Sequence, residues 1–190
     1  MGRKRDWTLC LKADDRFIEA AIWPHWMEQV ARTRDGFANF IDYDPMTNET
    51  ASVGVLASAA ARADLLSTTE FVCHKHQFDR RRRLVHGRAD LWVGAPRGGI
   101  SWAFEAKQIK SRQGSRSDTF EAALDMACLE ASRLPEWEAN RFFGLLIVTV
   151  PPEGDVTKLE GRLESLAGKA DFAWPCGGRE RATYLYFRKV

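Results

Sequence analysis

The chain has 190 residues, of which 45% are hydrophobic and 28% charged, and its formal net charge is +2. This composition is typical of one globular domain and excludes a disordered or fibrous chain. No apolar run has the length of a membrane span, and the N-terminus lacks the apolar core of a signal peptide. The four cysteines are widely separated, as we expect of reduced thiols in a cytoplasmic protein.

Two helices are predicted at the start of the chain. The first covers residues 14–34 and contains Pro24, which predicts a break or a kink. The second runs from residue 48 to about residue 66, with Asn48 as its N-cap. Residues 1–47 are therefore predicted as an N-terminal helical elaboration, either an accessory cap or an oligomerisation element. The core is predicted over residues 48–190, within a single domain overall.

Three strands are predicted next, over residues 69–78, 84–93 and 100–107. The segment Ala95-Pro96-Arg97-Gly98-Gly99 between the last two is typical of a hairpin turn. The rest of the chain is predicted to alternate helix and strand, over residues 117–134, 142–150, 155–168 and 182–188. This order predicts an α/β fold, a mixed sheet flanked by helices.

The predicted hairpin brings charged side chains together. Strand alternation puts Asp90 on a polar face, whereas Ala89 and Leu91 share the apolar face of the same strand. Glu105 and Lys107 lie on one face of the next strand. Two carboxylates and an ammonium at one face of a sheet predict a Mg²⁺ site with a charged partner for water or phosphate. The alternative is a pair of surface carboxylates on a solvated sheet face.

Positive charge is concentrated around these carboxylates. Residues 75–116 contain 11 lysines and arginines against three acidic residues, a net charge of +8, and the other residues carry 17 basic and 23 acidic groups, or −6. A basic field around a small acidic pocket suits a polyanionic substrate together with a metal. The four consecutive arginines at 80–83 are equally compatible with a solvated hairpin tip.

A second pattern lies just before this stretch. Cys73, His74 and His76 have the composition of a zinc cluster. Alternation puts Cys73 on the opposite face from the two histidines, and no second ligand pair is evident in the sequence. Ordinary strand residues are the favoured interpretation.

The arrangement over residues 48–150 resembles the PD-(D/E)XK nuclease superfamily, which has the restriction-endonuclease-like αβββαβ core. In that family an Asp lies on the second strand of a meander and (D/E)-x-K lies on the third. Here the Asp is Asp90, and the triplet is Glu105-Ala106-Lys107, the only acidic-x-Lys triplet in the chain. The proline that often precedes the Asp is replaced by Ala89.

The resemblance implies a metal-dependent nuclease that hydrolyses phosphodiester bonds of DNA, with an endonuclease favoured. It implies that Asp90, Glu105 and the Ala106 carbonyl bind Mg²⁺ or Mn²⁺. It also implies that Lys107 orients the attacking water or stabilises the phosphorane. Gln108 is a candidate for placing water or phosphate, and a surface amide is the alternative reading of this residue.

Many relatives add a glutamate from the helix that precedes the meander. Glu49 is the first choice for this role, and Glu70 and Glu28 are its rivals.

Basic side chains near the predicted site are candidates to hold a nucleic-acid backbone. They are Arg80, Arg81, Arg82, Arg83, Arg88, Lys110, Arg112 and Arg116. DNA is the expected partner, RNA stays open, and no membrane is involved. A homodimer and a partner protein that supplies specificity also stay open. The rival functions are a catalytically weak or inactive module of the same fold that binds nucleic acid or a protein, and an unrelated α/β domain with an accidental motif.

Overall fold

The computed structural model describes residues 17–38, 40, 44–78, 83–111, 117–150, 156–176 and 182–190. In this part of the chain, four helices flank a six-stranded mixed sheet. The elements in order are α1 (Glu19–Ala38), α2 (Glu49–Arg62), β1 (Leu66–His76), β2 (Leu84–Ala95), β3 (Ile100–Lys110), α3 (Ser117–Ala131), β4 (Arg141–Thr149), α4 (Val156–Lys169), β5 (Phe172–Cys176) and β6 (Thr183–Lys189). The predicted α/β class and the α-β-β-β-α-β order from α2 to β4 are confirmed.

The strand order across the sheet is β1-β2-β3-β4-β6-β5. β3 and β4 run parallel and are connected through α3, whereas the other neighbouring strands are antiparallel. One hydrophobic cluster joins α1 and α2 to one face of the sheet, and a second joins α3 and α4 to the other face. β4 is buried on both faces over most of its length, which explains its continuously apolar sequence.

The core on the α1 side is built around Trp23, which is fully buried. Seven aromatic rings have centroids 4.9 to 6.1 Å from the Trp23 ring, those of Trp26, Trp102, Phe104, Phe143, Phe172, Trp174 and Phe187. α1 therefore shares its core with the sheet. The helix is continuous through Pro24, so the predicted break does not occur. Proline has no N–H to donate to the carbonyl one helical turn earlier. Pro24 lies on the exposed side of the helix, where water can satisfy that carbonyl instead.

β5 was not predicted from the sequence. It is only five residues long and contains Pro175, which weakens any strand pattern. Its position explains why the proline is tolerated, because β5 is an edge strand with β6 as its single neighbour.

The meander opens at one end. β2 pairs with β3 only from Ala95↔Ile100 to Leu91↔Phe104. β3 continues beyond Phe104 against β4, while β2 follows β1. The two strands therefore diverge beyond the pair Leu91↔Phe104. We call the gap between them, which begins at Asp90 and Glu105, the fork.

The predicted alternation of β2 fails at the start of the fork. Ala89 packs in a cluster with Cys73, whereas Leu91 packs in the cluster beneath α1 and α2. The β1–β2 ladder passes from Thr69↔Leu91 to Phe71↔Ala89 without pairing the residues between them. Glu70, the β1 residue at this point, has a φ of 50°. This local irregularity of the backbone breaks the alternation of side chains between the two faces of the sheet. The prediction that Ala89 and Leu91 share one apolar face is wrong.

Candidate functional site

Asp90 lies at the point where β2 and β3 separate. Its Oδ2 accepts a hydrogen bond from the Ala106 N–H at 2.6 Å. Because β2 no longer pairs with β3 here, this carboxylate satisfies a backbone donor that would otherwise be buried without a partner. Burial raises the pKa of Asp90, although the Ala106 hydrogen bond and the charges of Lys107 and Lys75 act in the opposite direction.

Glu105 is the most deeply buried charged group of the site, with 3% of its surface exposed. Lys75 Nζ, from β1, lies 2.8 Å from Glu105 Oε1. The contact is an ion pair, but within the described residues Oε1 has no donor at a good hydrogen-bond angle. Burial raises the pKa of Glu105 to about 7, the nearby Asp90 adds to the rise, and Lys75 opposes it.

Lys107 and Glu49 complete the group of charges around the fork. Lys107 Nζ donates a hydrogen bond to the Ala106 carbonyl at 3.0 Å. Glu49, the first residue of α2, accepts one from the Gln108 N–H at 3.1 Å. Burial raises the pKa of Glu49, Lys107 lowers it and Asp90 raises it. The structure thus brings Glu49 within electrostatic reach of the predicted site.

The two rival glutamates differ in position. Glu70 is exposed on β1, and its φ of 50° is rare for a residue with a side chain. Its charge raises the pKa of both Asp90 and Glu49. Glu28 instead pairs with Arg32 on the exposed side of α1, at 2.5 Å. Glu49 and Glu70 therefore both lie near the fork, and Glu28 pairs elsewhere.

Gln108 holds α2 against the sheet. Its Oε1 accepts a hydrogen bond from Ser52 Oγ at 2.9 Å, and its Nε2 donates to the Met46 carbonyl at 2.9 Å. A longer contact of 3.5 Å joins Nε2 to Thr149 Oγ1. Both ends of the amide are thus used within the protein. Gln108 is not a surface amide, and its contacts define a role in positioning the helix that carries Glu49.

Three of the candidate basic side chains are in the part of the chain that the structure describes, and they lie toward the open end of the fork. Because β1, β2 and β3 are antiparallel neighbours, the β1–β2 connection and the end of β3 lie at the same end of the sheet. Arg83, Arg88 and Lys110 are exposed there, and Arg88 Nη1 lies 3.7 Å from Glu70 Oε2. The other candidates lie outside the described residues: Arg80, Arg81, Arg82, Arg112 and Arg116.

Lys75 is the member of this group that sequence reasoning missed. Lys75 lies between His74 and His76, and the zinc pattern concerned those two histidines and Cys73. The partner of Lys75, Glu105, lies two strands away in the sheet. Strand alternation could have indicated that Lys75 is buried, because it puts Lys75 on the same face as the buried Cys73. A lysine on a buried face needs an acidic partner.

No group of three or more His, Cys, Asp or Glu side chains in the described part of the chain is close enough to hold a metal ion. None of the described helices is both long and apolar enough to cross a membrane. Comparisons with protein-family models, with curated proteins and with solved structures found no match.

Proposed function

We propose that this protein is a metal-dependent nuclease of the PD-(D/E)XK type, which hydrolyses phosphodiester bonds of DNA in the cytoplasm. The observation that carries the proposal is the meeting of the half-buried Asp90 and the buried Glu105 at the fork, with Lys107 beside them. Desolvation raises the pKa of both carboxyls. Such groups destabilise a fold, and they are concentrated at functional sites. The unusual backbone of Glu70 next to Asp90 supports the same assignment.

The donor set fits Mg²⁺ or Mn²⁺. Asp90, Glu105 and the Ala106 carbonyl would hold the ion. Mg²⁺ commonly uses one or two carboxylates and completes its shell with water and substrate phosphate, so a cluster of three side chains is not required. Because Lys75 Nζ lies 2.8 Å from Glu105 Oε1, the ion would use the other oxygen of this carboxylate. When bound, the ion would lower the pKa of a water molecule and offset charge that develops on the phosphate.

The protein's own residues supply the rest of the chemistry. Asp90 is fixed by the Ala106 N–H, so its free oxygen has a defined direction. The Lys107 ammonium lies beside this donor set, where it orients the attacking water or neutralises a phosphate oxygen. The exposed Arg83 and Lys110 at the open end of the fork would contact the nucleic-acid backbone, which gives affinity rather than sequence recognition.

One observation favours a second candidate, a catalytically weak module of the same fold that binds nucleic acid. Two of the expected metal donors already have ammonium partners. Lys75 pairs with Glu105, and Lys107 donates to the Ala106 carbonyl. Without a metal ion, the exposed Arg83 and Lys110 would still bind a phosphate backbone, and no group of the site would activate a water molecule to cut it.

A cleavage assay separates the two candidates. Supercoiled plasmid, linear duplex, single-stranded DNA and RNA are incubated with the full chain and Mg²⁺ or Mn²⁺, with EDTA as a control. Asp90→Asn is the test variant, because asparagine keeps an oxygen for the Ala106 N–H while it removes the charge. Asp64→Asn is the matched control, since Asp64 lies in an exposed turn with a φ of 58° that asparagine tolerates.

We expect the wild type and Asp64→Asn to cut DNA, and we expect EDTA and Asp90→Asn to abolish cleavage. Asp90→Asn should be at least as stable as the wild type in urea, because it removes a desolvated charge. Cleavage that persists in folded Asp90→Asn would refute the site assignment. A gel shift that weakens steeply with salt, without any cleavage, would select the binding module instead.

A further inference from the structure

A cavity of about 380 Å³ lies between the end of β1 and the end of α3. Its volume falls within the range of small-ligand sites, about 300–1,000 Å³. The lining residues belong to neither the buried hydrophobic clusters nor the group of charges around the fork. They are His76, Gln77, Phe78, Leu129, Ser132 and Arg133.

Arg133 is held in one orientation at the wall of this cavity. Its Nε donates a hydrogen bond to the His76 carbonyl at 2.9 Å, and its own carbonyl accepts one from the His76 N–H at 2.8 Å. Its Nη1 lies 2.7 Å from Glu130 Oε2. The guanidinium carbon lies 4.0 Å from the centroid of the Phe78 ring, a cation–π contact that fixes the position of the ring.

Phe78 has the properties of a ring on which a base can stack. Although the guanidinium lies over its ring, Phe78 is still 56% exposed. Proteins that bind single strands stack the bases on exposed aromatic rings and hold the phosphates with nearby basic groups. An aromatic ring that is both fixed and exposed is therefore suited to an unpaired nucleobase.

Two polar atoms in the wall of the cavity, His76 Nδ1 and Gln77 Oε1, have no hydrogen-bond partner among the described residues. Buried polar groups are normally paired. An imidazole and an amide can form hydrogen bonds with the donors and acceptors on the edge of a base. Both atoms are enclosed, so a base would reach them after a rotation of these side chains.

The cavity lies at the same end of the sheet as the open fork, because β1 ends there. The Gln77 N–H donates a hydrogen bond to the Arg83 carbonyl at 2.9 Å, so the exposed Arg83 is next to the cavity and can contact phosphates. Resting on the nuclease function proposed above, we propose that this cavity binds one unpaired base of a DNA strand, stacked on Phe78. The preferred substrate would then be DNA that is single-stranded or locally unpaired.

The test measures the affinity of the full chain for labelled oligonucleotides by fluorescence anisotropy, in EDTA so that no cleavage occurs. The probes are a single strand of thymidines and an abasic strand of the same length, which carry the same phosphates. Phe78→Ala and Phe78→Leu remove the aromatic ring, and Phe78→Trp retains one. The control is Trp137→Ala, at an exposed aromatic position outside the lining of the cavity.

We expect the wild type, Phe78→Trp and Trp137→Ala to bind the thymidine strand at least about 5-fold more tightly than the abasic strand. This factor is the lower end of what stacking on one aromatic ring contributes. Phe78→Ala and Phe78→Leu should bind the two strands with nearly equal affinity. Because Phe78 is exposed, these variants should fold, and circular dichroism checks this; if Phe78→Ala does not fold, Phe78→Leu decides.

Equal affinities in the wild type, or a preference that persists in both Phe78→Ala and Phe78→Leu, would overturn the base site and leave the nuclease proposal intact. A preference that Phe78→Leu retains and Phe78→Ala loses would indicate an apolar contact instead of stacking, and would also overturn it. If the wild type binds only duplex DNA, the base site alone is overturned. If it binds no DNA of any form, both proposals are overturned.

Discussion

Stability should fall as the pH rises through the range in which Glu105 ionises. Burial raises the pKa of this carboxyl from 4.5 to about 7, and each pKa unit corresponds to about 1.4 kcal/mol. The folded state therefore holds the proton more tightly than the unfolded chain. The stabilisation is fully present below pH 4.5 and is lost by the time the pH passes about 7. The expected loss from Glu105 is about 3 kcal/mol.

The variant that isolates this effect is Glu105→Gln, because glutamine resembles the protonated carboxyl and keeps an oxygen near Lys75. Free energies of unfolding are measured by urea denaturation at several pH values from about 5 to about 8, in EDTA. We expect the wild type to lose stability over this range and Glu105→Gln to lose much less. A residual loss should remain, because burial also raises the pKa of Asp90 and Glu49.

The matched control is Glu164→Gln, which removes an exposed carboxylate on α4. It should retain the full pH dependence of the wild type. If Glu105→Gln and the wild type have the same slope, the reasoning is refuted. The pKa of Glu105 in the folded protein would then lie near its ordinary value, either because the carboxyl is solvated or because the Lys75 charge offsets the effect of burial.

Two further predictions concern the packing that supports the site. Trp23→Ala should destabilise the protein by about 3–5 kcal/mol in urea denaturation, because it empties the centre of the aromatic core. Its control is Trp137→Ala, at a position that is 67% exposed, which should change the free energy of unfolding by less than about 0.5 kcal/mol. Gly144→Ala should cost about 1–3 kcal/mol, because its Cβ would lie 2.5 Å from the backbone nitrogen of Cys128. Gly161→Ala, with nothing within 4 Å in α4, should instead stabilise by about 0.5–1 kcal/mol; equal effects of the two glycine changes would contradict the close α3–β4 approach.

Local rules were enough to predict much of the fold. The β2–β3 hairpin follows from its Pro-Gly turn, in which Gly99 has a φ of 61° and its N–H donates to the Ala95 carbonyl at 3.1 Å. Asn48 caps α2 as predicted, since its side chain accepts a hydrogen bond from the Ala51 N–H at 2.9 Å. In each case the signal and the structure lie within a few residues of one another.

The electrostatic details of the site were not predictable in this way. Lys75 and Glu105 are 30 residues apart in the sequence, and the Lys75 side chain reaches Glu105 by passing close to Gly87 on the intervening strand. The sequence left Gln108 open between placing water or phosphate and a surface amide, and its hydrogen bond with Ser52 of α2 depends on how that helix packs. The failed alternation at Asp90 depends on the neighbouring strand, whose Glu70 has left-handed backbone angles. Strand periodicity does not contain any of this information.

The burial of Glu105 argues against one interpretation that the sequence left open, a pair of surface carboxylates on a solvated sheet face. Carboxylates on a solvated sheet face keep their ordinary pKa values and cost little. Glu105 is instead 3% exposed and pairs with a lysine that must cross a strand to reach it. Replacing such a pair by apolar residues is often neutral or stabilising, so packing alone gives no reason for it. If Asp90→Asn and Glu105→Gln both raise stability while they remove metal binding, the site is a destabilising element whose presence only a function explains.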